Sequence, residues 1–353
     1  MNKVGIVTIF NSNYGNRLQN YALQESLKKM GVDVETIRNV SLLNKKKNNF
    51  EYILRNIKYL FKKDDFNDGK DREKYFKEFN NNIEVSKFCF NWFNLKKIKK
   101  YDMFIVGSDQ VWNPTIGRLT RYDLVTFSNK PKFSYAASFG ISELSDEFYR
   151  KLVVENLRKY KKISVREEAG KQILTDLGLK SKVVLDPTML LSDDEWRIVS
   201  KKPEQYSGKK YILNYFLGEL APEYKKIIND YAEKHNLEII NILDNKDKYY
   251  FTGPSEFLYL EEHAELICTD SFHSSVFSIL FNRPFVVFDR NQKGFNNMNS
   301  RIDTLLDTFE LKERKYKNGK KLDDYIEYDY TQSYDILNKK KKESMTFLEE
   351  CMK

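Results

Sequence analysis

Residues 265–288 read ELICTDSFHSSVFSILFNRPFVVF. Two short apolar runs, ELICT at 265–269 and PFVVF at 284–288, bracket a segment of helical spacing, the pattern of a strand–helix–strand unit in a parallel sheet. Phe272, Val276, Ile279 and Leu280 fall on one helical face, which leaves His273 on a different face within the first turn. A helix start attracts anions by roughly 0.3–1 kcal/mol per site, and Ser271, Ser274 and Ser275 add hydroxyl donors there. His273 is therefore expected at a ligand crevice; the plainer alternative is a histidine making one local hydrogen bond. His235 and His263, the other two of only three histidines, lack such surroundings and read as surface residues.

Working outward, the same rhythm recurs on both sides. At the start of the chain's second half, YILNYFL (211–217), a helix pattern over 222–236 and LEIINIL (237–243) precede the opening segment. Earlier in the chain, KVGIVTIF (3–10), VDVETIR (32–38), DMFIVG (102–107), KFSYAAS (132–138), KISVRE (162–167) and KVVLD (182–186) are short strand-like runs, all but KFSYAAS carrying Val or Ile, separated by helical spacing. Strands alternating with helices predict parallel sheets, hence an α/β fold of two Rossmann-like domains facing each other across a cleft. The polar stretch around SKKPEQYSGKK (200–210) marks the boundary. The expected units are 1–190, with a helical insertion over about 41–100 that includes FEYILRNIKYLF, then 209–330, and a terminal helix over 331–353. A chain of 353 residues is long enough for two such cores.

In an open parallel sheet, ligands bind outside the carboxyl ends of the strands. Polar sets fall at four such ends. NSNYGNRLQNYAL (11–23) follows the first strand and offers Asn13, Gly15, Asn16 and Gln19; either Asn13 or Asn16 also suits a plain helix cap. This is not a GxGxxG fingerprint, so no dinucleotide is indicated. GSDQVWNP (107–114) crowds Ser108, Asp109, Asn113 and Trp112 into one loop, a set suited to a sugar through hydroxyl contacts and an aromatic face, with Asp109 as a base; a capped turn is the plainer reading. Arg166 and Glu167 end the fifth of the early runs.

Composition narrows the function classes. No apolar run approaches the roughly 18 residues that span a bilayer, and the first residues read as a strand, so a cytoplasmic protein is expected. Cys89, Cys268 and Cys351 are scattered and odd in number, which indicates neither a disulfide framework nor a zinc site. The net charge of +9 suits anionic substrates or peripheral contact with the inner membrane surface, although surface helices solvated by lysine are the plainer explanation. No nucleic-acid signature accompanies it, and no nucleic-acid partner is expected.

Taken in order, NYGNRLQNYALQ, DMFIVGSDQVWNP, FSYAASFG, ISVREEAGKQIL, VVLDPTMLL and TDSFHSSVFSILFNRPFVVF resemble the polysaccharide pyruvyl transferase family over roughly residues 3–312. The resemblance implies a fold like that of GT-B glycosyltransferases and transfer of the pyruvyl group of phosphoenolpyruvate onto a sugar of a cell-surface glycan or its lipid-linked precursor, as a ketal in exopolysaccharide biosynthesis. It implies no metal and no organic cofactor. By motif, His273 matches a histidine implicated at the donor site and Arg166 matches the arginine ending an SVRE-like strand. Two departures stand out: Ser271 replaces an arginine common in the family two residues before the histidine, and Asn16 replaces an aspartate after Gly15. Either Arg301, in MNSRIDTLL (298–306), or a lysine is expected to supply the missing positive charge, or the donor differs. The site expected on these grounds comprises His273 and Asp109 for chemistry, Arg166, Ser271, Ser274 and Arg301 for the donor, and Asn13, Gly15, Asn16, Gln19, Ser108, Trp112 and Asn113 for the acceptor. The rival readings are a glycosyltransferase using a nucleotide-sugar donor and a non-catalytic glycan-binding relative. Oligomeric state is not legible in the sequence.

Overall fold

A computed structural model describes residues 3–39, 70–91, 95–290 and 300–353. The first sheet is parallel throughout, its five strands β1 (Lys3–Val7), β2 (Asp33–Asn39), β3 (Val85–Phe90), β4 (Met103–Val106) and β5 (Lys132–Ser134) lying in the order β3-β2-β1-β4-β5. Single parallel bridges from Phe133 to Lys162 and from Ala137 to Val165 extend it towards the short pair β6 (Ser164–Val165) and β7 (Lys182–Val183). The second sheet, also parallel, has β8 (Tyr211–Tyr215), β9 (Glu238–Asn241), β10 (Leu266–Thr269) and β11 (Phe285–Val287) in the order β11-β10-β8-β9. Each early or late strand-like run singled out in the sequence supplies one of these strands.

Strand order locates the crevice. In the first sheet the winding reverses between β1 and β4, and in the second between β8 and β10. Loops leaving two adjacent strands in opposite directions open a gap there, the general ligand position in such sheets. The four loops concerned begin at Thr8, Gly107, Phe216 and Asp270.

The first helix, α1 (Tyr14–Lys29), starts where Asn13 accepts the Asn16 backbone N–H at 3.3 Å. Its Tyr14, Leu18 and Tyr21 join one apolar cluster with Tyr211, Phe257 and Phe277 of the second half, so the cores of the two halves are continuous across the cleft floor. Tyr14 is sandwiched between Phe76 and Phe257, with ring centroids 5.2 and 4.6 Å away. The last helix, Thr331–Met352, runs from this shared cluster at Leu337 back to the first sheet, where Phe347, Leu348 and Cys351 join the core around β1 and β4.

Two expectations change. The stretch 41–100 contains helix Lys70–Phe79, but its residues 85–90 form a sheet strand paired with β2, so it is not a wholly helical insertion; residues 40–69, FEYILRNIKYLF included, and 92–94 lie outside the described residues. The helix after β10, Phe272–Leu280, is buried along its whole length and not only on one face. Its serines tolerate this because they are satisfied locally: Ser275 Oγ donates to the Ser271 carbonyl at 3.0 Å, Ser278 Oγ to the Ser274 carbonyl at 2.8 Å, and Ser274 Oγ to Glu261 at 2.6 Å. Among the described residues, no helix is long and apolar enough to cross a membrane.

Candidate active site

A cavity of about 430 Å³ opens between the two switch points. Asn13, Asn16, Asp109 and Gln110 line it from the first half; Asp270, Ser271, His273, Arg290 and Arg301 line it from the second. The space is polar where four loops converge and apolar at Phe10, Ile116 and Leu217.

His273 sits at the start of its helix, pressed onto the first turn of α1. A β-carbon on residue 15 would lie 2.6 Å from its Cγ and 2.5 Å from its Cε1, so only glycine admits the ring. His273 Nε2 has no hydrogen-bond partner among the described residues, and the nearest carboxylate oxygen, Asp186 Oδ2, is 3.9 Å away. Burial pushes the imidazole pKa below its ordinary value; Asp186 and Asp109 act to raise it, and Arg166 and Arg301 to lower it. The resting ring is accordingly neutral at pH 7.

Asp109 has a left-handed backbone, φ 69°, a conformation that costs a non-glycine residue energy and persists only where its surroundings hold it. Its carboxylate is gripped by Asn16 Nδ2 and by Arg166 Nη2, the latter at 3.1 Å. Burial alone would raise its pKa, but Arg166, His273 and Arg301 outweigh burial and hold it below the usual carboxylate range. Asp109 is thus an ionised hydrogen-bond acceptor and a weaker base than the loop sequence suggested.

Arg166 is not a free donor ligand. Its side chain, 1% exposed, donates to Asp109 at 3.1 Å and to Asp186 at 3.0 Å, and its guanidinium stacks 4.4 Å from the Phe272 ring centre. Burial would lower its pKa, but Asp109, Asp186 and Glu167 raise it on balance, so it is a permanent cation bridging carboxylates behind the cavity wall. The expectation that Arg166 grips an incoming anion is corrected for that reason. Ser108 and Gln19 also stand behind the wall. Gln19 donates to Thr8 Oγ1 at 2.9 Å and accepts the Ser108 N–H at 3.1 Å, while Ser108 Oγ donates to Asp186 at 2.8 Å, which ties the β1 and β4 loops together.

Arg301 is different. It lines the cavity and, among the described residues, forms no ion pair with a carboxylate, and its Nε has no hydrogen-bond partner. The Gln110 amide oxygen, turned to face it, accepts from Nη1 at 2.8 Å and Nη2 at 3.0 Å. Burial, then Arg166, depress its pKa to about 10, so it stays charged. A buried cation balanced by a neutral amide is a site prepared for an anion.

Three other expected ligands do not reach the cavity. Trp112 is fully buried against Phe139 and Tyr160, Asn113 caps the turn at Thr115 through a 2.9 Å bond, and Ser274 points to Glu261. Hydrophobic packing claims the tryptophan, and the two polar groups satisfy neighbours first. Ser271 lines the cavity, but its side chain makes no cap bond. The sequence reading missed Asp186, whose signal was its place after a strand in VVLDP, and the pair Asp270–Arg290. Asp270 accepts the Leu217 and Gly218 backbone N–H groups at 2.7 and 2.8 Å and Arg290 Nε at 2.8 Å. Among the described residues no group of three His, Cys, Asp or Glu side chains is placed to hold a metal.

The fold and cavity define a two-sheet α/β protein of the GT-B type with a polar cavity, lined by both arginines and aspartates, at the paired switch points. The chain belongs to the polysaccharide pyruvyl transferase family, whose model matches residues 13–292. No curated protein matches it by sequence. Among solved structures, it is similar to the UDP-GlcNAc 2-epimerase from Methanocaldococcus jannaschii, with 15% identity and a TM-score of 0.50 over 95% of this chain and 98% of that one. It is also similar to the Neisseria meningitidis UDP-GlcNAc 2-epimerase bound to UDP-GlcNAc (12% identity, TM-score 0.48, 100% and 99% covered) and to Anabaena HepE in complex with UDP and glucose (9%, 0.46, 100% and 99%). At these identities the likeness concerns fold alone.

Proposed function

We propose that the protein transfers the pyruvyl group of phosphoenolpyruvate to two hydroxyls of one sugar, in a cell-surface glycan or its lipid-linked precursor, forming a ketal and releasing phosphate. The observation that carries this reading is the buried Arg301, which has no carboxylate partner among the described residues, in one cavity with the partly unsatisfied His273. Phosphoenolpyruvate is a compact polyanion, and its burial requires such a cation.

The steps follow from its chemistry. A proton added to the methylene carbon leaves an oxocarbenium-like centre. One sugar hydroxyl attacks that centre and passes its proton back to the now neutral His273, phosphate departs with the C–O electron pair, and the second hydroxyl closes the ketal as its proton leaves on the phosphate. His273 supplies the first proton. It rests neutral because it is buried, and a bound anion raises its pKa and charges it, so the acid is generated by the donor it acts on. Asp109 accepts a hydrogen bond from the attacking hydroxyl and orients it.

Thermal protection provides the test. Phosphoenolpyruvate should raise the melting temperature and a panel of nucleotide sugars should not, and phosphate release from phosphoenolpyruvate should require a glycan acceptor. Protection by a nucleotide sugar alone would replace this reading with glycosyl transfer.

A further inference from the structure

Asp186 has no part in the steps above, yet both of its carboxylate oxygens are held. Its Oδ1 accepts from the Thr188 backbone N–H at 3.0 Å and from Thr188 Oγ1 at 2.7 Å; its Oδ2 accepts from Ser108 Oγ at 2.8 Å and Arg166 Nη1 at 3.0 Å. A carboxylate held at both oxygens cannot swing away. What Oδ2 still faces is His273 Nε2, 3.9 Å off, enclosed and without a partner.

The two neutral forms of an imidazole respond oppositely to this neighbour. A lone pair on Nε2 would point at a carboxylate lone pair, which is repulsive; an N–H on Nε2 points at it favourably and needs only a small shift to bond. The other charged groups around the ring, Asp109, Arg166 and Arg301, belong to the same cluster, and the edge carrying Nδ1 lies on Gly15 at the head of α1. Phe272 meets the ring edge-on at 90°.

We propose that Asp186 is a positioning residue for His273, keeping the neutral ring protonated on Nε2 and leaving Nδ1 as the nitrogen that gains and gives up the proton at the head of α1. Proton balance is simple: Nδ1 gains one proton to give an imidazolium with an N–H on each nitrogen, and loses the same proton to restore the Nε2–H form. Asp186 stays ionised throughout and stabilises the cation, the arrangement by which an acid–base histidine is oriented through its second nitrogen. The inference rests on the reading of His273 as the proton-handling group.

Nitrogen-15 correlation spectra of the histidine rings test it on the ligand-free protein. With three histidines in the chain, and His235 and His263 exposed, the His273 signals are assignable by one substitution. The expected result is an Nε2–H tautomer for neutral His273. In Asp186→Asn the midpoint of its titration should fall by about one pH unit or more, because an opposite charge that favoured the cation is gone. Should Asp186→Asn not fold, Ser108→Ala, which frees Oδ2 of one bond but leaves Arg166 paired, should alter the His273 tautomer population or midpoint. An Nδ1–H tautomer in the parent protein overturns the proposal, as does a folded Asp186→Asn, or a folded Ser108→Ala in its place, with an unchanged His273. No substrate enters the measurement, so a failure to turn over phosphoenolpyruvate would sink the proposed function and leave this result standing.

Discussion

His273 of the second half rests on Gly15 of the first, so closely that a β-carbon at residue 15 would stand 2.5 Å from the imidazole Cε1. The contact joins the helix that follows β10 to the helix that follows β1, and it makes the smallest residue in α1 a determinant of where the ring lies. Gly15→Ala should therefore leave most of the fold intact and displace His273, with a loss of turnover of roughly 100-fold, comparable to removing a positioned acid. Parent-like turnover in Gly15→Ala would show that the ring's position is immaterial.

His273→Ala should lose turnover by at least roughly 100-fold while melting close to the parent. His273→Gln separates two roles: glutamine still donates a hydrogen bond but moves no proton at neutral pH, so donor affinity near the parent value with severely reduced turnover identifies acid chemistry. An alanine variant that melts several degrees lower yet keeps its specific activity would make the histidine structural.

The two buried arginines should behave oppositely. Arg301→Ala should weaken donor binding by about tenfold or more, the loss of a charge-assisted contact worth roughly 1.5–3 kcal/mol, and should cost little stability because no carboxylate is left behind. Arg166→Ala leaves Asp109 and Asp186 buried without their cation. It should destabilise by about 3–5 kcal/mol, read by urea unfolding. If Arg166→Ala unfolded like the parent and Arg301→Ala did not weaken donor binding, the assignment of the two would be reversed.

Glu261 makes a stability prediction with a definite sign. Burial holds its pKa well above the ordinary carboxyl value. The folded chain therefore retains a proton that the unfolded chain gives up, and stability is fully present below the unfolded pKa and declines as pH rises through the interval up to the folded one. Glu261→Gln removes this loss. The variant should melt higher than the parent at pH 8, by on the order of 2 °C, with the difference shrinking towards pH 4. A difference independent of pH would mean that Glu261 is ionised in the folded protein.

Much of the architecture was legible in the sequence because strands buried on both faces must be continuous apolar runs, and parallel strands need helical crossovers between them. This is how KVGIVTIF, DMFIVG, ELICT and PFVVF could be assigned without coordinates. The strand at Val85–Phe90 escaped because it sits at a sheet edge, where a sequence such as VSKFCF need not be apolar throughout. The polar sets at strand ends were visible too, since parallel sheets place their ligands there, and this brought Asn16, Asp109 and His273 into consideration together, whereas Arg301 entered only through the positive charge that the family resemblance implies.

What a linear pattern could not convey was which of those side chains would find another partner first. Arg166 reads like an anion ligand until the fold puts Asp109 and Asp186 on either side of it; Trp112 reads like a sugar platform until Phe139 and Tyr160 enclose it. Ser274 is one residue from His273, yet a helix turns successive side chains by about 100°, and that rotation hands it to Glu261. Residue type and spacing determine local backbone form, which depends on neighbours in the chain. The allocation of hydrogen bonds and charges depends on atoms that are distant in sequence and adjacent only after the two halves close on one another. The sequence by itself therefore determined the two sheets and the strand ends at which a site could form, and tertiary structure alone decided that Arg301 and His273 remain facing the cavity while Arg166 is enclosed behind it.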